Sequence, residues 1–175
     1  MEEKKEKLTS VNIDKINDKI YLGDIVGANE IEYLKQEGIT HIISLAGDFC
    51  SPKYEDGLFI RKIINIDDFG TENIYQYFKE CIEFIENSTK IYIHCMAGVS
   101  RSASIVIAYL MWKEQKGYNE TYFAVKNKRR YIGPNGGFVL QLKFFDEELK
   151  KYNYALEKIQ FNNLDLKELW KKFGF

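Results

Sequence analysis

Histidine, proline, arginine and cysteine are all scarce in this 175-residue chain, and each shortage excludes something. There are two histidines, His41 and His94, and three cysteines, Cys50, Cys81 and Cys95, with no Cys-x-x-Cys pair. A zinc site of the usual ligand spacing is therefore not expected, and neither is any other cofactor. Three widely spaced cysteines do not form a disulfide framework, which points to a reducing compartment. Two prolines and no Pro/Ser-rich stretch leave no linker to divide the chain. The net charge of -1 lacks the one-signed excess that draws a protein to nucleic acid or acidic membranes. The apolar runs are too short to span a bilayer. MEEKKEKLTS lacks the core of a signal peptide, Glu2 excludes N-myristoylation, and WKKFGF is not a prenylation box. The expectation is a cytoplasmic protein, with the nucleus also open, that has no membrane or nucleic-acid partner and is monomeric by default. Arginine occurs only at 61, 101, 129 and 130. The ordinary cause is a biased genome composition, yet each arginine is then more informative, because lysine is this chain's usual cation.

What is present suits a globular domain: 45% hydrophobic and 29% charged residues, on a chain long enough for a real core. Residues 1–10 read as a frayed, solvated end. Strands are predicted at 19–24, 40–45, 58–66 and 90–95, where apolar and β-branched residues run together. Helices are predicted at 29–37, 72–87, 119–130, 137–151 and 164–173. The segment SASIVIAYLMW, residues 102–112, is apolar almost all round and predicts a central, buried helix. Strands and helices alternate first and helices dominate later. That order predicts an α/β domain: a central, mostly parallel sheet flanked by helices, with a helical cluster on one face. The catalytic part is placed at residues 11–151 and a helical C-terminal extension at 152–175. The extension's amphipathic spacing favours packing on its own domain over binding a partner.

HCMAGVSRS, residues 94–102, joins the strand at 90–95 to the central helix. Backbone amides at the start of a helix have no partner within it and, with the helix dipole, attract anions. Successive loop amides form a concave nest for phosphate oxygens. Gly98 allows close approach of the backbone, and Arg101 offers a planar fork for two phosphate oxygens. The same field favours the thiolate of Cys95, the nucleophilic form. A thiolate beside a phosphate nest implies phosphoryl transfer to sulfur followed by hydrolysis. Cys-x5-Arg alone would arise by chance in about one such chain in fifteen; requiring the histidine and glycine lowers this below about 10⁻⁴.

HCMAGVSRS resembles the HCxxGxxRS signature of the cysteine-dependent protein phosphatases, and most closely that of the dual-specificity branch. IYLGD, GITHIISL, RSASIVIAYLM and RRYIGPNGGFVLQL resemble further segments of that branch, from about residue 11 to about residue 151. The resemblance implies a protein tyrosine phosphatase-like fold with Cys95 as nucleophile and Arg101 as phosphate clamp. Met96, Ala97, Gly98, Val99 and Ser100 would bind the phosphate with Arg101. Ser102 would help the thiolate leave, and His94 would shape the loop rather than act as a base. The family's general acid, an aspartate on an earlier loop, matches Asp68 by its spacing to Ile74 and Phe78; Asp67 fits neither interval. Asn135 matches the Pro-Asn motif and would steady the loops. Substrates would be phosphorylated proteins, on tyrosine and also on serine or threonine. The signature reads Arg-Ser where the strictly tyrosine-specific branch usually has Arg-Thr, which implies a shallower pocket.

Ordinary readings stand beside these. His41 reads as structural, Cys81 as a small buried hydrophobe, and Asp67 as a solvated turn. Cys50 is a candidate disulfide partner for Cys95 under oxidation, although an inert loop thiol is its ordinary reading. Lys126, Lys128, Arg129 and Arg130 read as cations complementing a helix C-terminus, with Arg130 the candidate contact to a second phosphate or an acidic substrate residue. A phosphoinositide or RNA 5′-phosphate phosphatase is a second reading, disfavoured by the uncharged Met96, Ala97, Val99 and Ser100. A phosphoprotein-binding module without catalysis is a third, disfavoured because Cys95, Asp68, Arg101 and Ser102 are all present.

Overall fold

The computed structural model describes residues 11–47 and 51–174. The expectations for residues 1–10 and for Cys50 lie outside the described residues. Five short strands build one sheet: β1 (Ile13–Lys15), β2 (Ile20–Gly23), β3 (His41–Ser44), β4 (Ile60–Ile63) and β5 (Ile91–His94). Their order is β1-β2-β5-β3-β4. Only β1 is antiparallel; β2, β5, β3 and β4 run parallel, with Ile20 and His41 both opposite Ile91. The sheet is therefore the mostly parallel α/β sheet expected, with an antiparallel edge.

Parallel strands need covered faces, and the side-chain alternation shows how each is covered. Ile20, Leu22, Ile43, Ile91 and Ile93 enter the larger core, under α3 (Phe78–Glu86), α4 (Arg101–Glu114), α5 (Tyr118–Lys128) and α6 (Gly136–Lys151). Tyr21, Ile42 and Tyr92 enter a smaller core on the other face, beside α1 (Ile25–Ala28) and α2 (Ile31–Gln36). Helix α4 is central, and every residue from Ser102 to Met111 is buried, as its all-round apolarity predicts. A last helix, α7 (Leu166–Phe173), lies on α6 with Leu169 buried. No helix among the described residues is long and apolar enough to cross a membrane.

The differences from the sequence-based elements have local causes. Strand β1 is three residues, too short to show a period, and owes its existence to pairing with β2. The run predicted as a strand at 58–66 is paired only over Ile60–Ile63, at the sheet's edge. The helix predicted at 29–37 is α2, Ile31–Gln36, and the unpredicted α1 lies just before it, capped at its N-terminus by Asp24 and ended at Asn29. The helix predicted at 119–130 ends at Lys128; Arg129 leaves it in an extended conformation, φ -131° and ψ 100°.

Candidate active site

Strand β5 delivers His94 and Cys95 to the C-terminal edge of the parallel strands, where open α/β sheets form binding crevices. The period of two sends these neighbours to opposite faces. Cys95 continues the Ile91 and Ile93 face, is 1% exposed, and lies 3.2 Å from the Ser102 hydroxyl at the start of α4. His94 continues the Tyr92 face and stacks on that ring at 5.5 Å. Its Nε2 lies 2.7 Å from the Ser44 hydroxyl and its Nδ1 3.3 Å from the carbonyl of Cys95. A carbonyl only accepts, so the proton sits on Nδ1 and Ser44 donates to Nε2. Burial lowers the imidazole to about 4. His94 is therefore a neutral prop fixed between β3 and the loop, and it does not face the sulfur as a base.

Between Cys95 and α4 the backbone turns its carbonyls away from the site, and each is occupied. Cys95 O accepts from His94, Met96 O from the amide of Ile25, and Val99 O from the amide of Gly133. Ala97 O and Gly98 O accept from Arg129, and Ser100 O from the amide and hydroxyl of Ser104. None of the amides of residues 96–101 donates to another described residue. Outward carbonyls and uncommitted amides are what an anion nest requires. Gly98 makes the turn possible: its φ is +65°, and a Cβ there would stand 2.4 Å from Gly23 O and 2.7 Å from Arg129 Nη2. Arg101 donates from Nη1 to Ile66 O at 3.0 Å, while its buried Nε has no partner among the described residues. A buried donor without a partner is unusual, and here it belongs to a guanidinium beside the nest.

Asp68 is held over this loop by a small closed network. Its Oδ1 accepts from the Ser100 hydroxyl at 2.6 Å and from Asn135 Nδ2 at 2.8 Å. The Asn135 amide donates to the same Ser100 oxygen at 2.9 Å. The Asn135 side-chain oxygen also caps α6, accepting from Phe138 N at 3.0 Å. An amide is the side-chain type that accepts at the cap and donates to the carboxylate at once. Oδ2 of Asp68 makes no hydrogen bond to a described residue. Asp67 is exposed and takes no part in the network.

Met96 and Ala97 are exposed at the mouth and Val99 is half-buried. Ser100 does not present its hydroxyl to the mouth; the hydroxyl is spent on Asp68. The basic run divides in a way the sequence reading missed. Arg130 is exposed, whereas Arg129 is 1% exposed and reaches the loop from behind. The signal available was weak: an arginine where this chain usually places lysine. Two further supports were unread. Gln141, fully buried on α6, accepts from Tyr75 N and donates to Glu72 O, fixing the segment after Asp68. Gly137 admits the Asp68 loop, since a Cβ there would meet Gly70 O at 1.9 Å. Cys81 is buried on α3 and burial pushes its thiol up, away from reactivity. His41 bonds its neighbour Thr40 and sets its ring edge against Phe84, far from the role of a ligand.

A family model described as the dual specificity phosphatase catalytic domain matches residues 20–148. MAP kinase phosphatase with leucine-rich repeats protein 1 of Dictyostelium discoideum is 44% identical over 145 residues, 81% of this chain and 17% of that protein. Dual specificity protein phosphatase 22-A of Danio rerio is 40% identical over 137 residues, 76% of this chain and 64% of that protein. The chain thus spans less than two thirds of either relative's length. The crystal structure of the human tyrosine phosphatase-like serine/threonine/tyrosine-interacting protein, 32% identical, superposes with a TM-score of 0.74 over 82% of this chain and 98% of that one.

Proposed function

The chain belongs to the dual specificity phosphatase family, and from that premise we propose that it hydrolyses phosphoprotein monoesters through a cysteinyl-phosphate. The observation that carries this reading is the loop itself. Its carbonyls are occupied from behind, its amides are uncommitted, Cys95 lies at its base, and the partnerless Nε of Arg101 stands beside it. In the first step the Cys95 thiolate attacks phosphorus and the bond to the leaving oxygen breaks. The loop amides and Arg101 hold the equatorial oxygens, and Asp68 gives its proton to the departing oxygen. In the second step the Asp68 carboxylate takes a proton from water, whose oxygen attacks phosphorus. The sulfur leaves as thiolate with the Ser102 hydroxyl 3.2 Å away to donate to it. Inorganic phosphate and the starting enzyme result.

The uncharged mouth, with Met96 44% exposed, supports a phosphoprotein over a polyanionic lipid or nucleic-acid end. Phosphotyrosine and the shorter phosphoserine and phosphothreonine are the proposed substrates. The Dictyostelium relative is named a MAP kinase phosphatase, which makes a phosphorylated MAP kinase the first protein substrate to try. The test is aryl phosphate hydrolysis in EDTA, with Cys95→Ser alongside. Turnover that persists in EDTA and vanishes in Cys95→Ser, with phosphate still bound by the variant, is the expected result. Absence of turnover by the reduced, unsubstituted protein would overturn the reading and return it to a phosphoprotein-binding module.

A further inference from the structure

We propose that Arg129 is a positioning residue for the phosphate loop, and that it makes edge strand β1 part of the catalytic apparatus. The inference rests on the phosphatase reading but concerns residues to which that reading gives no task. Arg129 comes directly after α5 and is 1% exposed. Its Nε donates to Gly98 O at 2.8 Å and its Nη2 to Ala97 O at 3.4 Å. Its Nη1 donates to Asn12 Oδ1 at 2.9 Å and to Asp14 Oδ2 at 2.7 Å. One planar fork thus grips two consecutive loop carbonyls on one side and β1 on the other.

Three consequences follow from that geometry. The carbonyls of residues 97 and 98 are held away from the site, which turns the amides on the far side of those peptides toward it, since the two ends of a peptide group point in opposite directions. A fixed positive charge stands behind the loop, and Asp14, 38% exposed, only partly offsets it. The loop position is also referred to β1, whose register is set by pairing Ile13 with Gly23 and Lys15 with Tyr21. Asn12 extends the brace by donating to Asp24, which caps α1 through Gly27 N. The amide of Ile25, the first residue of α1, in turn holds Met96 O. Lysine cannot replace this fork: an ammonium donates from a single centre and does not bridge two carbonyls and a carboxylate in one plane. Gly98 is needed for the same contact, because a Cβ there would stand 2.7 Å from Nη2.

The test compares Arg129→Lys and Asp14→Asn with the unsubstituted full chain. Hydrolysis of an aryl phosphate gives kcat and KM, competition by inorganic phosphate gives an inhibition constant, and thermal melting reports folding. For Arg129→Lys the phosphate inhibition constant should rise about tenfold, and kcat/KM should fall by a similar factor, because misplaced amides lose both ground-state and transition-state contacts. Asp14→Asn keeps an acceptor for Nη1 and should shift both in the same direction by less. Arg129→Ala, if it melts as a folded protein, should regain activity with added guanidinium and not with ammonium, since Arg129 lines an open cleft of about 620 Å³. A lowered melting temperature in Arg129→Lys with the phosphate inhibition constant unchanged would overturn the proposal and leave Arg129 a stabilising residue only. Should the unsubstituted protein fail to turn over, the phosphatase reading falls. Phosphate affinity of the same variants, measured by direct titration, then still decides whether Arg129 shapes the loop.

Discussion

At the scale of single residues, the site depends on side chains that do two jobs with different atoms. Asn135 accepts at the cap of α6 with its oxygen and donates to Asp68 with its nitrogen. Asn135→Asp should keep the cap, and hence most of the stability, while setting a second carboxylate against Asp68. The expected outcome is a melting temperature near that of the unsubstituted chain. The loss in kcat should be about tenfold for an alkyl phosphate and smaller for an activated aryl phosphate, because only a poor leaving group needs the proton. Asp68→Asn should show the same selectivity more strongly. Equal losses on both substrates in Asp68→Asn would remove it as the acid. Both comparisons read the ratio of two rates on one protein, so a change in active fraction cancels.

At the scale of elements, the site is a meeting of segment ends, and one close approach is between two backbones. Gly137, in the first turn of α6, lies against Gly70, two residues after Asp68. Gly137→Ala would drive a methyl to 1.9 Å from Gly70 O unless the loop moves. The loop should therefore retreat and take Asp68 with it. About 1–3 kcal/mol of stability should be lost, as in other overpacked sites, together with rate on poor leaving groups. Denaturant unfolding and the two-substrate rate ratio measure the two effects. A variant with both unchanged would show that the loop does not need this contact. Helix α4 is legible in its residues alone, because an all-round apolar helix can only be buried. The end of α5 is not, because nothing in the composition near Lys128 stops a helix. Arg129 leaves the helix to reach partners 31 and 115 positions away.

At the scale of the whole molecule, the sheet joins a large core and a small one, and His94 lies buried on the face of the small one. Folding takes its imidazole from an ordinary value near 6.5 to about 4 through burial, so the unfolded chain binds more protons between those values. Stability should fall as pH drops through that window, by up to about 1.4 kcal/mol per pH unit for the single proton. His41, half-buried near Lys19, is also lowered by burial and adds in the same direction. Below about 4 the slope from His94 should vanish, leaving that of the carboxylates. Denaturant unfolding at a series of pH values checks this, with His94→Gln expected to flatten the profile between 4 and 6.5. An unflattened profile would mean that another group carries the acid sensitivity.

The run from Lys90 to Trp112 determined by itself that a strand ends, a loop turns and a buried helix begins, because apolar runs and the Gly98 turn are local in sequence. The alternation Ile91, Tyr92, Ile93, His94, Cys95 likewise carried the separation of histidine and cysteine onto opposite faces, since a strand's period is local. What only the tertiary structure decided is which atoms meet around that loop. Asn135 and Asp68 are 67 positions apart, and Arg129 and Asp14 are 115 apart. Contacts of that span leave no period or spacing in a sequence. They exist because the β2-β5-β3 order brings the ends of distant segments to one edge of the sheet, where their polar groups must find partners.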